Sequence, residues 1–98
     1  MRRDDALRIL AAHREELTTM GVRELSIFGS VARDEAGDGS DVDVLVDYEP
    51  GIRLSYFRLF DLQERLEKLL GAKVDLVTVG GLRRELREGI LAEAIHAA

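Results

Sequence analysis

Asp41 and Asp43 flank Val42 at the start of the stretch Asp-Val-Asp-Val-Leu-Val-Asp that ends at Asp47. On an extended strand, residues two apart point to the same face, so this pair presents two carboxylates within reach of a single cation. A third carboxylate, Asp75, sits near the start of another apolar stretch, Lys73 to Val79. Bare carboxylates about 4 Å apart repel by roughly 4 kcal/mol per pair at an effective dielectric near 20, so such a cluster makes sense once a divalent ion neutralises it. All the candidate ligands are oxygen, which points to magnesium, an ion typically held by one or two carboxylates together with substrate phosphates. Gly29-Ser30, separated from Asp41 by ten residues, supplies the counterpart. Glycine lets a backbone approach a phosphate closely, the following amides at a helix start point at its oxygens, and the Ser30 hydroxyl adds a hydrogen bond. Arg33, one helical turn on, is placed to reach the same triphosphate by a charge-assisted contact. Together these residues make an anion cradle facing a metal cluster.

The elements that must position them follow from the apolar spacing. Leu7, Leu10, Ala11, Leu17 and Met20 recur at helical intervals after Asp4 and Asp5, and Gly21 is the natural stop, which predicts one helix ending near residue 20. Leu25, Ile27 and Phe28 predict a short strand running directly into Gly29-Ser30, with a brief helical turn over 30–35 and loop over 37–40. Asp41 to Asp47 predicts a second strand with Val42, Val44 and Val46 on one face and the acids with Leu45 on the other. After the turn residues 48–51, a helix is predicted from about Ser55 to Leu70, its inner stripe being Leu59, Leu62, Leu66 and Leu69, and Gly71 ends it. A third strand, 73–79, and a last helical segment through Leu82, Leu86, Ile90, Leu91, Ala94 and Ile95, interrupted at Gly89, complete the chain. Gly29-Ser30 closes strand one while Asp41 and Asp43 open strand two, so they meet only if those strands are antiparallel. Asp75 joins them only if strands two and three are parallel, which a helical crossover permits. The fold class predicted is therefore α/β (α+β), a small mixed β-sheet packed by helices.

Composition bounds the rest. At 98 residues the chain has room for one domain, read here as 1–98. A net charge of −5 argues against general electrostatic attraction to nucleic acid or to an anionic membrane. The absence of cysteine excludes disulfides and thiolate metal sites and suits a reducing compartment. Neither a secretory signal nor a transmembrane run is read from the sequence, so the expected location is the cytoplasm.

With these residues on the page, the sequence resembles the DNA polymerase beta type nucleotidyltransferases, and within them the minimal nucleotidyltransferases that act as antitoxins paired with HEPN toxins. The resemblance rests on Gly29-Ser30, then Asp41-Val42-Asp43, then Asp75 within Lys-Val-Asp-Leu-Val-Thr, and on the terminal segment Ile90-Leu91-Ala92-Glu93-Ala94. It covers nearly the whole chain. It implies the nucleotidyltransferase fold, with Asp41 and Asp43 holding two magnesium ions and Asp75 completing the second site beside the acceptor and helping to deprotonate its hydroxyl. Gly29, Ser30, Arg33 and Ser40 would bind the nucleotide. The implied reaction is in-line attack on the alpha phosphorus of ATP with release of pyrophosphate. No residues remain here to build an acceptor domain, so a protein acceptor brought by a partner fits best; the resemblance implies that this partner is a helical HEPN toxin modified on a tyrosine. One departure is Val31, where many members carry a basic residue, which would weaken triphosphate binding. Two rival readings stay open: a nucleotide-binding or toxin-masking module without turnover, and the catalytic subunit of a two-chain enzyme that modifies a small molecule.

The remaining polar and aromatic residues have plainer readings. Ser40 alone reads as a loop hydrogen bonder, His13 as a bystander at the margin of the first stripe, and His96 as part of a frayed terminus. Arg83, Arg84 and Arg87 read as a solvated face, and Tyr48 and Tyr56 as structural. Phe57 and Phe60 are expected in the core with the leucine stripe.

Overall fold

The apolar stripes find their partners on one face of a four-stranded mixed sheet. In the computed structural model, which describes residues 1–37 and 39–98, the chain runs α1 (Arg3–Ala12), α2 (Arg14–Thr19), β1 (Val22–Phe28), α3 (Gly29–Ala32) and β2 (Val42–Tyr48). It continues through α4 (Tyr56–Leu70), β3 (Val74–Thr78), a 3-10 turn at Val79–Gly81, α5 (Arg84–Glu93) and β4 (Ile95–His96). Of the loop expected over 37–40, Asp38 lies outside the described residues. The strand order is β3-β2-β1-β4, with β1 antiparallel to both β2 and β4 and β2 parallel to β3. These are the two pairings that the acidic residues need if they are to meet the Gly29-Ser30 bend. Parallel neighbours require a crossover rather than a hairpin, and α4 is that crossover.

One face of the sheet is covered and dry. Val42, Val44 and Val46 are fully buried, as are Leu25 and Ile27 of β1, and over them lie Ala6 and Leu10 of α1, Leu17 of α2 and Leu62, Leu66 and Leu70 of α4. In β1 the pairing shifts between Val22 and Glu24. The extra residue of such a bulge resets the two-residue alternation, which is how Val22 and Leu25, three apart, both reach the core. The α4 helix is punctuated as its sequence predicts: the Ser55 side chain accepts from the Arg58 amide at 3.2 Å, and Gly71 takes a left-handed φ of 65° at the end. From inside α4, Gln63 Nε2 donates to the Val74 carbonyl at 3.1 Å and Glu67 accepts from the Val74 amide at 3.0 Å. These contacts fix where β3 begins, and so where Asp75 stands.

Several expectations give way to the structure. The first helix is two, broken at His13, whose amide bonds only three residues back to Leu10 while its ring Nδ1 lies 2.8 Å from the Ile9 carbonyl. Ala11, expected in the stripe, is exposed. Gly89 does not interrupt α5, consistent with a glycine costing a helix only about 1 kcal/mol. The terminus is not frayed: His96 pairs with Ser26 in β4, and Leu25 exchanges hydrogen bonds of 2.7–3.1 Å with Ala97 and Ala98. Phe57 and Phe60 are not core. They are 79% and 49% exposed, because the buried side of α4 is the 62, 66, 70 row and neither position falls near it on a 3.6-residue turn. Among the described residues, no helix is long and apolar enough to cross a membrane.

Candidate active site

The second face of the sheet is where the chemistry-bearing residues collect. Phe28, the last residue of β1, is the register partner of Asp43, so Gly29 begins directly beside that carboxylate. Gly29 has a left-handed φ of 71°, and a Cβ built on it would stand 2.0 Å from Asp43 Oδ2. Both facts require glycine: an L-residue is strained at that φ, and the Asp43 side chain fills the space a methyl would need. The tight approach is the local reason a strand-to-helix bend here carries Gly-Ser.

On the other side, Asp43 is the register partner of Asp75 across the parallel β2–β3 pair. Register partners share a face and neighbouring strands lie about 4.8 Å apart, so the two carboxylates stand side by side. Asp41 lies just ahead of β2, two residues before Asp43. Asp41 and Asp75 are exposed while Asp43 is half-buried. Desolvation raises the Asp43 carboxyl above its ordinary range, the charges of Asp75, Asp41 and Glu93 push the same way, and only Arg33 opposes. Each neighbour acting on Asp43 is thus a residue of this cluster. Among the described residues, no three carboxylate or imidazole side chains close around one point as a ready-made ion cage. Magnesium asks for only one or two carboxylates alongside substrate oxygens.

Arg33 stands at the end of α3 and its guanidinium is held by two acids: Nη1 donates to Glu93 at 3.0 and 3.3 Å, and Nε donates to Glu35 at 3.2 Å. The Glu93 carboxylate also accepts from the Gly29 amide at 2.8 Å. Glu93 was missed as a functional position: it lies 64 residues from Gly29, and the terminal segment that contains it entered only as part of the resemblance. Ser30 is half-buried at the bend. Ser40 is elsewhere occupied, accepting from the Gly37 amide at 3.2 Å within its own loop. Val31 is 0% exposed and packs in the hydrophobic core. Its side chain therefore lies on the core side of α3. His13, His96, Arg83, Arg84 and Arg87 take no part in the cluster.

The arrangement can therefore present half-buried and exposed carboxylates to a divalent ion on one side of Gly29, and amide, hydroxyl and guanidinium donors to an anion on the other. Continuing along the same face past Asp43, a groove of about 590 Å³ is lined by Ser26, Leu45, Asp47, Leu91 and His96. It lies between the sheet and α5.

Comparison with known proteins bears on the family and the fold. A profile of the nucleotidyltransferase domain family matches residues 10–96. The protein adenylyltransferase MntA of Thermococcus cleftensis is 44% identical over 89 residues, covering 90% of this chain and 88% of its own. Among solved structures, one described as a candidate minimal nucleotidyltransferase superposes with a TM-score of 0.81 at 38% identity, covering 97% of this chain and 95% of that one. A complex of a tri-AMPylated Shewanella oneidensis HEPN toxin with its MNT antitoxin gives a TM-score of 0.60 at 16% identity, over 91% and 71% of the two chains. That last likeness concerns the fold alone. The chain belongs to the nucleotidyltransferase domain family and is a minimal, MntA-like member of it.

Proposed function

We propose that this nucleotidyltransferase transfers AMP from ATP to a hydroxyl of a protein partner in the cytoplasm, and that the partner is a helical HEPN toxin modified on tyrosine, so that the chain acts as an antitoxin. The observation that carries the proposal is the register that sets Asp43 beside both Gly29 and Asp75. The MntA relative is named as a protein adenylyltransferase, and the Shewanella complex pairs an AMPylated HEPN toxin with its antitoxin. The absence of cysteine suits the cytoplasm.

In this reading the oxygen donors of Asp41, Asp43 and Asp75 suit magnesium, with Asp41 and Asp43 sharing two ions and Asp75 completing the second site. Bound there, magnesium would neutralise the carboxylates and stabilise charge on the attacking and leaving oxygens. The chain's own groups do the rest. At the Gly29 bend the Ser30 amide and hydroxyl receive phosphate oxygens, and Arg33 adds a charge-assisted contact. Ser40 serves the nucleotide through the loop it braces. Asp75, exposed at the edge strand, takes the proton of the incoming hydroxyl. The new bond joins that oxygen to the alpha phosphorus, the bond to the bridging oxygen breaks, and pyrophosphate leaves with the displaced electron pair. The groove beside Leu45 and Leu91 offers the acceptor segment or the nucleoside a partly apolar bed on the same face of the sheet.

Intact-mass measurement of a co-expressed HEPN partner tests this. With ATP and magnesium, the partner gains one or more adenylyl units; without either, or with Asp41→Asn and Asp43→Asn together, its mass is unchanged. Toxin neutralisation that survives intact in the doubly substituted protein would show masking without transfer and overturn the proposal.

A further inference from the structure

We propose that Glu93 is a positioning residue for nucleotide binding, acting through Arg33: its carboxylate ties the guanidinium to the Gly29 bend so that Arg33 is already in place when the triphosphate arrives. This inference rests on the nucleotide-binding reading given above and adds a residue that the motif does not contain.

Glu93 is the last residue of α5. Its Oε1 takes the Gly29 amide at 2.8 Å, and its two oxygens lie 3.0 and 3.3 Å from Arg33 Nη1. One carboxylate thus joins the two residues that line the anion cradle. With Glu35 on Nε, these contacts use Nη1 and Nε, so the donors of Nη2 remain to meet a phosphate, as do the amide and hydroxyl of Ser30. An arginine side chain has large rotamer freedom, and losing it on binding weakens affinity; a side chain fixed beforehand avoids that loss. The same tie holds the Gly29 backbone at the point where it touches Asp43.

A purely structural role explains these contacts less well. None of the residues of α5 is buried, and exposed ion pairs add little to stability. The end of the chain is anchored independently, by Ile95 on Ile27, His96 on Ser26, and the bonds from Leu25 to Ala97 and Ala98. Removing the Glu93 carboxylate therefore leaves β4 docked, unties Arg33 from the Gly29 bend and leaves its guanidinium to Glu35 alone.

The test is a double-mutant cycle on the whole chain, reading by calorimetry the Kd of a non-hydrolysable ATP analogue with magnesium. Glu93→Ala is expected to weaken binding about tenfold and Arg33→Ala at least as much, with the double variant no weaker than Arg33→Ala alone. Glu93→Gln, which keeps the shape and an acceptor for the Gly29 amide, is expected to recover part of the loss. Melting temperatures of all variants within a few degrees of wild type accompany this result; if Glu93→Ala does not fold, Glu93→Gln alone carries the cycle with Arg33→Ala. Additive losses, or unchanged or tighter binding in Glu93→Ala or Glu93→Gln, overturn the inference while leaving the nucleotide site standing. Wild-type protein that binds no triphosphate overturns both.

Discussion

The two faces of β2 were built from one strand and do opposite work. Val42, Val44 and Val46 point into a dry core and are fully buried, whereas Asp43 and Asp47, on the other face, remain partly open with a run of acids around Asp43. The first face gains stability from burial at roughly 25 cal/mol per Å² of apolar surface. The second gains it at Leu45 but not at Asp43, where partial desolvation and neighbouring acids raise the carboxyl above its ordinary range. In the proposed reading the contrast separates stability from function residue by residue, since neighbouring positions in the chain belong to different tasks. Uncompensated acidic clusters persist where a ligand supplies the missing charge.

The comparison can be broken most forcefully from the acidic side. Asp43→Asn is expected to reduce AMP transfer by roughly a thousandfold or more while leaving the fold intact, as a nucleotide-transfer assay at saturating partner would record. Gly29→Ala should harm both faces at once: its Cβ meets Asp43 Oδ2 and its φ of 71° is unfavourable for alanine. A loss of about 1–3 kcal/mol in denaturant unfolding, with transfer largely abolished, is the expected result. Val44→Ala, one residue from Asp43 but facing the core, should lower stability by about 2 kcal/mol and leave Kd for nucleotide nearly unchanged. A Val44 variant that weakened binding as much as it weakened folding would show the two faces to be coupled.

The pH dependence of Asp43 sharpens the same contrast. Its folded-state value lies above the ordinary 3.8, so the folded chain holds the proton more tightly than the unfolded one. Ionising Asp43 therefore costs stability, fully at neutral pH, and the cost disappears as pH falls through the raised value towards 3.8. Without magnesium, Asp43→Asn should melt above wild type at neutral pH, and the gap should close in the carboxylate range. The smallest effect is expected at the far end of α4, where Phe57→Ser should change stability by no more than about 0.5 kcal/mol because the ring is exposed.

What was legible in the sequence was whatever repeats locally. The alternation around Asp41-Val42-Asp43 identified β2 and both of its faces, and Gly71 and Ser55 marked the ends of α4, because strands and helices write their period and caps into adjacent residues. The pairing of β1, β2 and β3 followed from asking which arrangement lets Gly29, Asp43 and Asp75 meet. Other features carried no local signal. The break at His13 involves neither glycine nor proline, and β4 is too short for any period to be read. Phe57 and Phe60 are apolar, but which apolar residues of a helix face inward depends on the row its neighbours accept. Glu93 reaches Gly29 and Arg33 only because β4 folds back onto β1, a tertiary event that no spacing encodes. Val31 taught the converse, since a departure from the family pattern proved to be a core residue.

Melting curves of wild type and Asp43→Asn, with and without magnesium and a non-hydrolysable ATP analogue, test most directly whether the acidic face is a nucleotide and metal site. The account predicts that the variant melts higher when both ligands are absent. At a hundredfold excess over Kd, magnesium and nucleotide together should raise wild type by about 10 °C and leave the variant nearly still. Equal shifts in the two proteins, or a wild-type shift that is the same without magnesium, would contradict it.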